Sequence, residues 1–399
     1  MHYDLVFEGG GAKGMVFVGA VQAFEEQGHT VGRLLGTSAG AITACLLAAG
    51  YTSSEMLAAL GEQVGGKSVF AGFLAAPKVM DEEAIQASTL LSLLHRIDIP
   101  FVPDAVEKRI GGQVVRWMAA HGTLRHVFSF LELGGWYSAD PFVLWLEKLL
   151  DTGTHNGEPR RFGRLTLAEF HGLTQKDVSF VASDTTGGSM LVLNHLTAPG
   201  VPVSWAVRMS MGIPLLWQEV VWERRWGPYR GTDITGHTVV DGGLLSNFPI
   251  ELLASRDPAV LEVMGDDPSK NLLGFLIDET LAVPGAPKAA AATGFRVAEI
   301  PAIVRLSNLV NTMLEARDKR VIDALATFVI RLPAEGYGTT EFELGGVRRE
   351  CLMAAGRDVT REYLDKRAAD VSFGGDESDS VSPRARTAAT RGASRLLGL

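Results

Sequence analysis

Apolar and polar positions alternate over His2-Tyr3-Asp4-Leu5-Val6-Phe7, which is the period of a β-strand. A glycine-rich stretch, Glu8 to Gly14, separates this strand from Met15, Val16, Val18, Val21 and Phe24. Those residues repeat at helical spacing until Gly28 stops them. Val31-Gly32-Arg33-Leu34-Leu35 reads as a second strand, and Ala39 to Ala49 as a helix of small residues closed by Gly50. The first fifty residues therefore predict strand, glycine loop, helix, strand, sharp turn and helix. A right-handed crossover lays the two strands side by side. The glycine loop and the sharp turn then open at the same carboxyl edge of a parallel sheet, where ligands bind in such sheets.

Further along, Thr52-Ser53-Ser54-Glu55 is a capping-box pattern that starts another helix. Residues from about 68 to 130 are irregular, with apolar runs around Phe70-Ala71-Gly72-Phe73-Leu74 and Ile97-Asp98-Ile99-Pro100-Phe101. They read either as ordinary core or as a helical cap whose Phe70, Phe73, Leu74, Ile99 and Phe101 face lipid. Asp140-Pro141 predicts an N-cap and first helical residue, with Phe142, Leu144, Trp145, Leu146, Leu149 and Leu150 as the apolar face. Val178 to Asp184 and Ser189 to Leu193 predict a hairpin through Thr185-Thr186-Gly187-Gly188. A short helix over Pro202–Pro214 is followed by strands at Trp217–Trp222, Thr238–Asp241, Leu272–Ile277 and Phe328–Leu332. Helices are expected over about Pro301–Ala326 and Val347–Asp370, and the polar, small-residue composition beyond predicts a disordered tail over 369–399.

Composition narrows the function classes. The chain has 399 residues, 46% hydrophobic and 21% charged, as globular proteins do. A net charge of −9 and the lack of a basic, aromatic stripe argue against nucleic acid as a partner. Cys45 and Cys351 make neither a disulfide framework nor a metal-ligand spacing. No apolar signal segment and no run of bilayer-spanning length is visible, so a cytoplasmic protein, or one exported by a route that leaves no apolar signal, is expected.

The sharp turn is Gly36-Thr37-Ser38-Ala39-Gly40, a serine between two glycines at a strand-to-helix junction. That is the pattern of a nucleophile elbow, in which a larger Cβ at Gly36 or Gly40 would meet the adjoining strand or helix. Ser38 needs a base. Only thirty-seven residues precede it, too few for the sheet of an α/β-hydrolase, and no histidine follows His237. Ser38 with His195 or His237 and Asp184 remains one arrangement. The other is a dyad with Asp241, which ends a strand and is followed by Gly242-Gly243. A carboxylate is a weak base at its ordinary pKa of about 4 and needs desolvation to serve. Gly9-x-Gly11-x-x-Gly14 matches a dinucleotide fingerprint, but no acid closes the next strand. As an oxyanion hole, the backbone of Gly9, Gly10, Gly11 and Gly14 would aim N–H groups at a tetrahedral intermediate. Lys13 either adds positive potential there or stays in solvent.

In this order the glycine loop, the serine elbow and Asp241-Gly242-Gly243 resemble the patatin-like phospholipases. The segments Gly135-Trp136-Tyr137-Ser138-Ala139-Asp140, Ser210-Met211-Gly212-Ile213-Pro214 and Thr340-Glu341-Phe342-Glu343-Leu344 support the likeness. Met209 departs from it, since the family usually carries Ala there. The resemblance implies a three-layer α/β fold with a mainly parallel sheet over residues 1–368, including the cap-like insertion at about 68–130. It also implies Ser38 as nucleophile, Asp241 as base and the glycine loop as oxyanion hole. The activity it implies is hydrolysis of acyl esters in phospholipids or related lipids, at a peripherally contacted membrane and without cofactor or metal. A nucleotide-dependent oxidoreductase and a catalytically silent membrane scaffold are the competing classes.

Overall fold

Period-two alternation sorts the strand side chains onto two faces of one sheet. Tyr3, Leu5 and Phe7 join one buried cluster while Val6 joins the other; Leu34 and Leu35 divide likewise, as do Phe180 and Val181, and Phe275 and Leu276. A computed structural model of the chain describes residues 1–64, 67–78, 85–94, 113–118, 121–265, 271–287, 321–372 and 383–397. Its main sheet comprises β1 (His2–Phe7), β2 (Thr30–Thr37), β3 (Val178–Asp184), β4 (Ser189–Leu193), β5 (Val220–Val221), β6 (Thr238–Asp241), β7 (Leu272–Asp278) and β8 (Val329–Pro333). The order is β5-β6-β3-β2-β1-β7-β8, with β4 also paired to β3. The ladders from β3 through β2, β1 and β7 to β8 are parallel, while β4, β5 and β6 pair antiparallel.

Helices cover both faces. On one side lie α1 (Met15–Glu26), α2 (Ala39–Ala48), α3 (Ser53–Leu60), α4 (Asp140–Leu150), α5 (Leu167–Thr174), α6 (Val203–Ser210) and, completing that layer, the long Gly346–Ser372 helix. On the other lie the helices Glu251–Ala254, Pro258–Met264 and Pro383–Leu396. This is the expected three-layer α/β fold. The capping box also forms: Thr52 accepts the Glu55 N–H and Glu55 accepts the Thr52 N–H.

The register of β3 brings distant parts of the chain together. Thr37 of β2 pairs with Val181, and Asp241 of β6 pairs with the next residue, Ala182. Because β4 occupies the opposite edge along Phe180–Asp184, β2 and β6 share a single edge of β3, end to end. The residue after Thr37 therefore meets the last residue of β6.

Several expectations are corrected. The Pro383–Leu396 helix stands where a disordered tail was expected, and Ala389, Ala393 and Leu396 are buried in the second core. Asp140 is the first helical residue of α4 rather than its cap, and Leu144 is exposed while Val143 is buried. The single strand expected at Trp217–Trp222 is two: Leu215–Trp217 pairs with Gly135–Tyr137, whereas Val220–Val221 joins the main sheet. Phe73 is only 3% exposed and packs edge-on against Phe142 and beside Trp145, so it belongs to the core rather than to a lipid-facing cap. Phe70 and Leu74 are part-buried against the same cluster. Ile99, Phe101 and most of the helix expected at 301–326 lie outside the described residues. Within the insertion, Ile85, Leu91, Val115 and Phe128 make a small core of their own.

Candidate active site

Ser38 sits at φ +53° and ψ −118°, between the end of β2 and the first turn of α2. Non-glycine residues rarely adopt positive φ, and only close packing holds one there. The packing is visible on both sides. A Cβ on Gly36 would lie 2.3 Å from the Gly40 carbonyl oxygen, and one on Gly40 would lie 2.2 Å from the Phe7 carbonyl oxygen. The backbone is also anchored from α6. The Ser210 hydroxyl donates to the Val181 carbonyl (2.6 Å) and accepts the Ser38 N–H (3.1 Å). Ser210, at the head of the Ser210–Pro214 segment, thus fastens the elbow to β3.

Asp241 faces the Ser38 hydroxyl at the junction of β2 and β6. Its N–H donates to the Gly212 carbonyl (3.0 Å), and its Oδ1 accepts the Gly243 N–H (2.8 Å). Burial pushes the carboxyl up from 3.8 to about 7, against the pull of the Gly243 N–H, the Ser38 hydroxyl and the Arg208 guanidinium. Gly242 lets the turn pass close under β3, since a Cβ there would lie 2.3 Å from the Val181 carbonyl oxygen.

Arg208 is a functional candidate that the sequence reading did not single out. It is buried on α6, its guanidinium donates to the Gln218 carbonyl, and desolvation lowers it to about 10. Asp140 and Asp241 both favour its charged form. The signal was there: a charged residue inside the apolar run Ala206-Val207-Arg208-Met209.

The glycine loop abuts the serine. A Cβ at Gly9 would stand 3.1 Å from Ser38 Cβ and 2.2 Å from Asn247 Oδ1, and one at Gly14 2.6 Å from Ala39 Cβ. The Gly9, Ala12 and Lys13 N–H groups donate to the carbonyls of Asn247, Thr339 and Gly10. Among the described residues, no protein acceptor takes the N–H of Gly10 or Gly11. Gly11 has φ +55°, and Thr339 packs where its Cβ would be. Asn247, also missed in the sequence, clamps the loop by donating to the Gly9 carbonyl (2.8 Å) and to Glu8 (3.1 Å). Lys13 is neither in solvent nor free: it is 4% exposed and paired with Glu279.

The two histidines stand apart from Ser38. His237 Nδ1 bonds Asp184 Oδ2 at 2.8 Å, but His237 lies four residues before Asp241, about 13 Å along the strand. His195 lies near Asp177, just before Val178 at the amino end of β3. Ser38 adjoins Val181 and Ala182 towards the other end.

A family model described as "Patatin-like phospholipase" matches residues 5–254. "Uncharacterized protein YqhO" of Bacillus subtilis (strain 168) is 29% identical over 373 residues, covering 91% of this chain and 98% of that one. "Triacylglycerol lipase ptl3" of Schizosaccharomyces pombe is 28% identical over 188 residues, 45% of this chain and only 38% of that protein. Among solved structures, VipD from Legionella pneumophila has 19% identity and a TM-score of 0.43, with 92% of this chain and 67% of that chain covered. ExoU from Pseudomonas aeruginosa, solved with SpcU, has 17% identity and a TM-score of 0.38, with 92% and 52% covered.

Proposed function

Because the chain belongs to the patatin-like phospholipase family, we propose that it hydrolyses carboxylic esters of phospholipids or related acyl lipids, in the manner of a phospholipase A or lysophospholipase. Ser38 is the nucleophile and Asp241 its base. The observation that carries this reading is the end-to-end meeting of β2 and β6 on one edge of β3, which sets Ser38 against a buried carboxyl raised to about 7. A base poised near working pH transfers protons efficiently.

In this mechanism Asp241 takes the Ser38 proton as Oγ attacks the ester carbonyl. The tetrahedral oxyanion is met by N–H donors of the glycine loop, with Gly10 and Gly11 the best candidates because the Gly9 N–H is engaged by Asn247. Gly9 and Gly14 are spacers that let the loop and α2 approach Ser38. Collapse of the intermediate expels the lipid alcohol, which leaves with the proton held on Asp241, and an acyl-serine remains. Asp241 then deprotonates water, the hydroxide attacks the acyl-serine, and the proton returns to Ser38 as the fatty acid departs.

Lipid contact is peripheral in this reading. Among the described residues no helix is long and apolar enough to cross a membrane. The exposed Leu93, Trp117 and Leu131 of the insertion replace Phe73 as contact residues. Trp117→Ser should weaken binding to phosphatidylcholine vesicles and leave a short soluble ester cleaved as before; slowing of both would refute this assignment.

The activity is tested by incubating the purified chain with mixed phospholipids and identifying the products by mass spectrometry. Fatty acid and lysolipid should appear, and Ser38→Ala should abolish them. An unchanged lipid mixture, or turnover surviving in Ser38→Ala, would overturn the reading.

A further inference from the structure

At the amino end of β3, opposite the edge that carries Ser38, three ligand-type side chains from separate elements converge. His171 lies in the last turn of α5, Asp177 immediately precedes β3, and His195 follows β4. His171 Nε2 is 3.1 Å and His195 Nδ1 3.8 Å from the same Asp177 Oδ1. The three ligand atoms all lie within 4.8 Å of one another. The imidazole rings stack at 3.7 Å with an interplanar angle of 6°. The proposed hydrolysis has no use for this cluster.

We propose that His171, Asp177 and His195 form a binding site for a borderline divalent transition metal, Zn2+ above all. Two imidazole nitrogens and one carboxylate oxygen suit zinc rather than Mg2+ or Ca2+, which take oxygen ligands. Tetrahedral contacts of about 2.1 Å put neighbouring donors about 3.4 Å apart, and the observed 3.1 and 3.8 Å fall on either side. The side chains are 32%, 51% and 20% exposed, so an ion can enter from solvent and water can complete its shell. Two imidazolium ions stacked this closely would repel. A metal takes imidazole in its neutral form, through a ring lone pair.

Binding has a structural signature. An imidazole lone pair lies in its ring plane, and one ion cannot lie in two parallel planes this far apart, so metal entry must part the stacked rings. The ion would then tie α5, the start of β3 and the segment after β4 together.

The test is calorimetric titration of chelator-treated full-length chain with ZnSO4 near neutral pH, with MgCl2 as comparison. One Zn2+ should bind per chain and Mg2+ should not. At a free zinc concentration a hundredfold above Kd, the melting temperature should rise by about 3 °C. His171→Ala and His195→Ala should each weaken zinc by more than about 100-fold, beyond what loss of an outer-shell partner costs, and Asp177→Asn by at least about tenfold. Zinc bound with wild-type affinity by the double histidine variant, or not bound by the wild type, overturns the proposal. Should the variants fail to fold, histidine-ring NMR of the wild type decides. On adding zinc, signals of His171 and His195 should move, and movement confined to other histidines overturns the assignment.

Discussion

The two ends of the β3–β6 ladder each carry a buried aspartate, and they differ in one respect. At one end Asp184 accepts the N–H groups of Thr186 (3.0 Å) and Gly187 (2.8 Å) and faces His237 Nδ1 at 2.8 Å. At the other, Asp241 accepts one backbone donor, Gly243, and faces the Ser38 hydroxyl. Their exposures, 3% and 4%, are nearly equal. Burial alone therefore does not mark a base. Asp184 spends its oxygens on a hairpin turn and on His237, and under the proposed dyad that His–Asp pair serves the turn rather than the chemistry. Asp241 is left underserved, so desolvation prevails and its carboxyl rises to about 7.

Substitutions at both ends and between them can break this contrast. The largest effect is expected from Ser38→Ala, which removes the proposed nucleophile and should lower kcat by about 10⁴-fold or more on any ester; labelling by a fluorophosphonate should disappear with it. Next is Asp241→Asn, which keeps the Gly243 hydrogen bond but cannot take a proton, so kcat should fall by at least about 10²-fold.

The same variant has a stability signature. The folded carboxyl binds its proton more tightly than the unfolded one. The stability it contributes is therefore full below about pH 4 and lost as pH rises through about 7. That separation amounts to about 4 kcal/mol at most. Asp241→Asn should escape the loss and melt about 2–5 °C above the wild type at pH 8 but not at pH 4; equal melting at both would refute the desolvated carboxylate.

Smaller is the effect of Arg208→Gln. With the buried positive charge gone, Asp241 should rise further, moving the acid limb of kcat/KM to higher pH by less than about 1 unit. A purely structural role for Arg208 would lower activity without moving that limb. Least of all, Asp184→Ala should leave kcat within a fewfold of wild type, while loss of its hydrogen bonds to the turn costs about 1–3 kcal/mol in denaturant unfolding. Collapse of kcat in a folded Asp184→Ala protein would restore the histidine triad.

How far these features were legible depends on the range of the interaction. The strand–loop–helix–strand–elbow–helix order of the first fifty residues is local, set by alternation, helical period and glycine stops, and it stands. So does the β3–β4 hairpin. The serine elbow and the Asp241 turn were legible as motifs, and the register that joins them was not, because it arises only when β2 and β6 share an edge. Arg208 was overlooked since a single charge in an apolar run has no period. Composition does not separate core from cap at Phe73 and misses the Pro383–Leu396 helix, because it reports average polarity. One aromatic ring, or a few alanines and a leucine at helical spacing, suffice to dock a segment on a core. The split at Trp217–Trp222 follows from Leu215–Trp217 finding its partner in Gly135–Tyr137, far away in sequence.

The left-handed backbone of Ser38 also bears on how this chain drifts under mutation. A side chain held at φ +53° costs about 1–3 kcal/mol that glycine would not. Ser38→Gly should accordingly be more stable than Ser38→Ala, although both should be equally inert. In a lineage released from turnover, stability alone would favour glycine at this position. Under the proposed chemistry, a glycine in place of Ser38 would mark a relative that has kept the fold and given up the reaction.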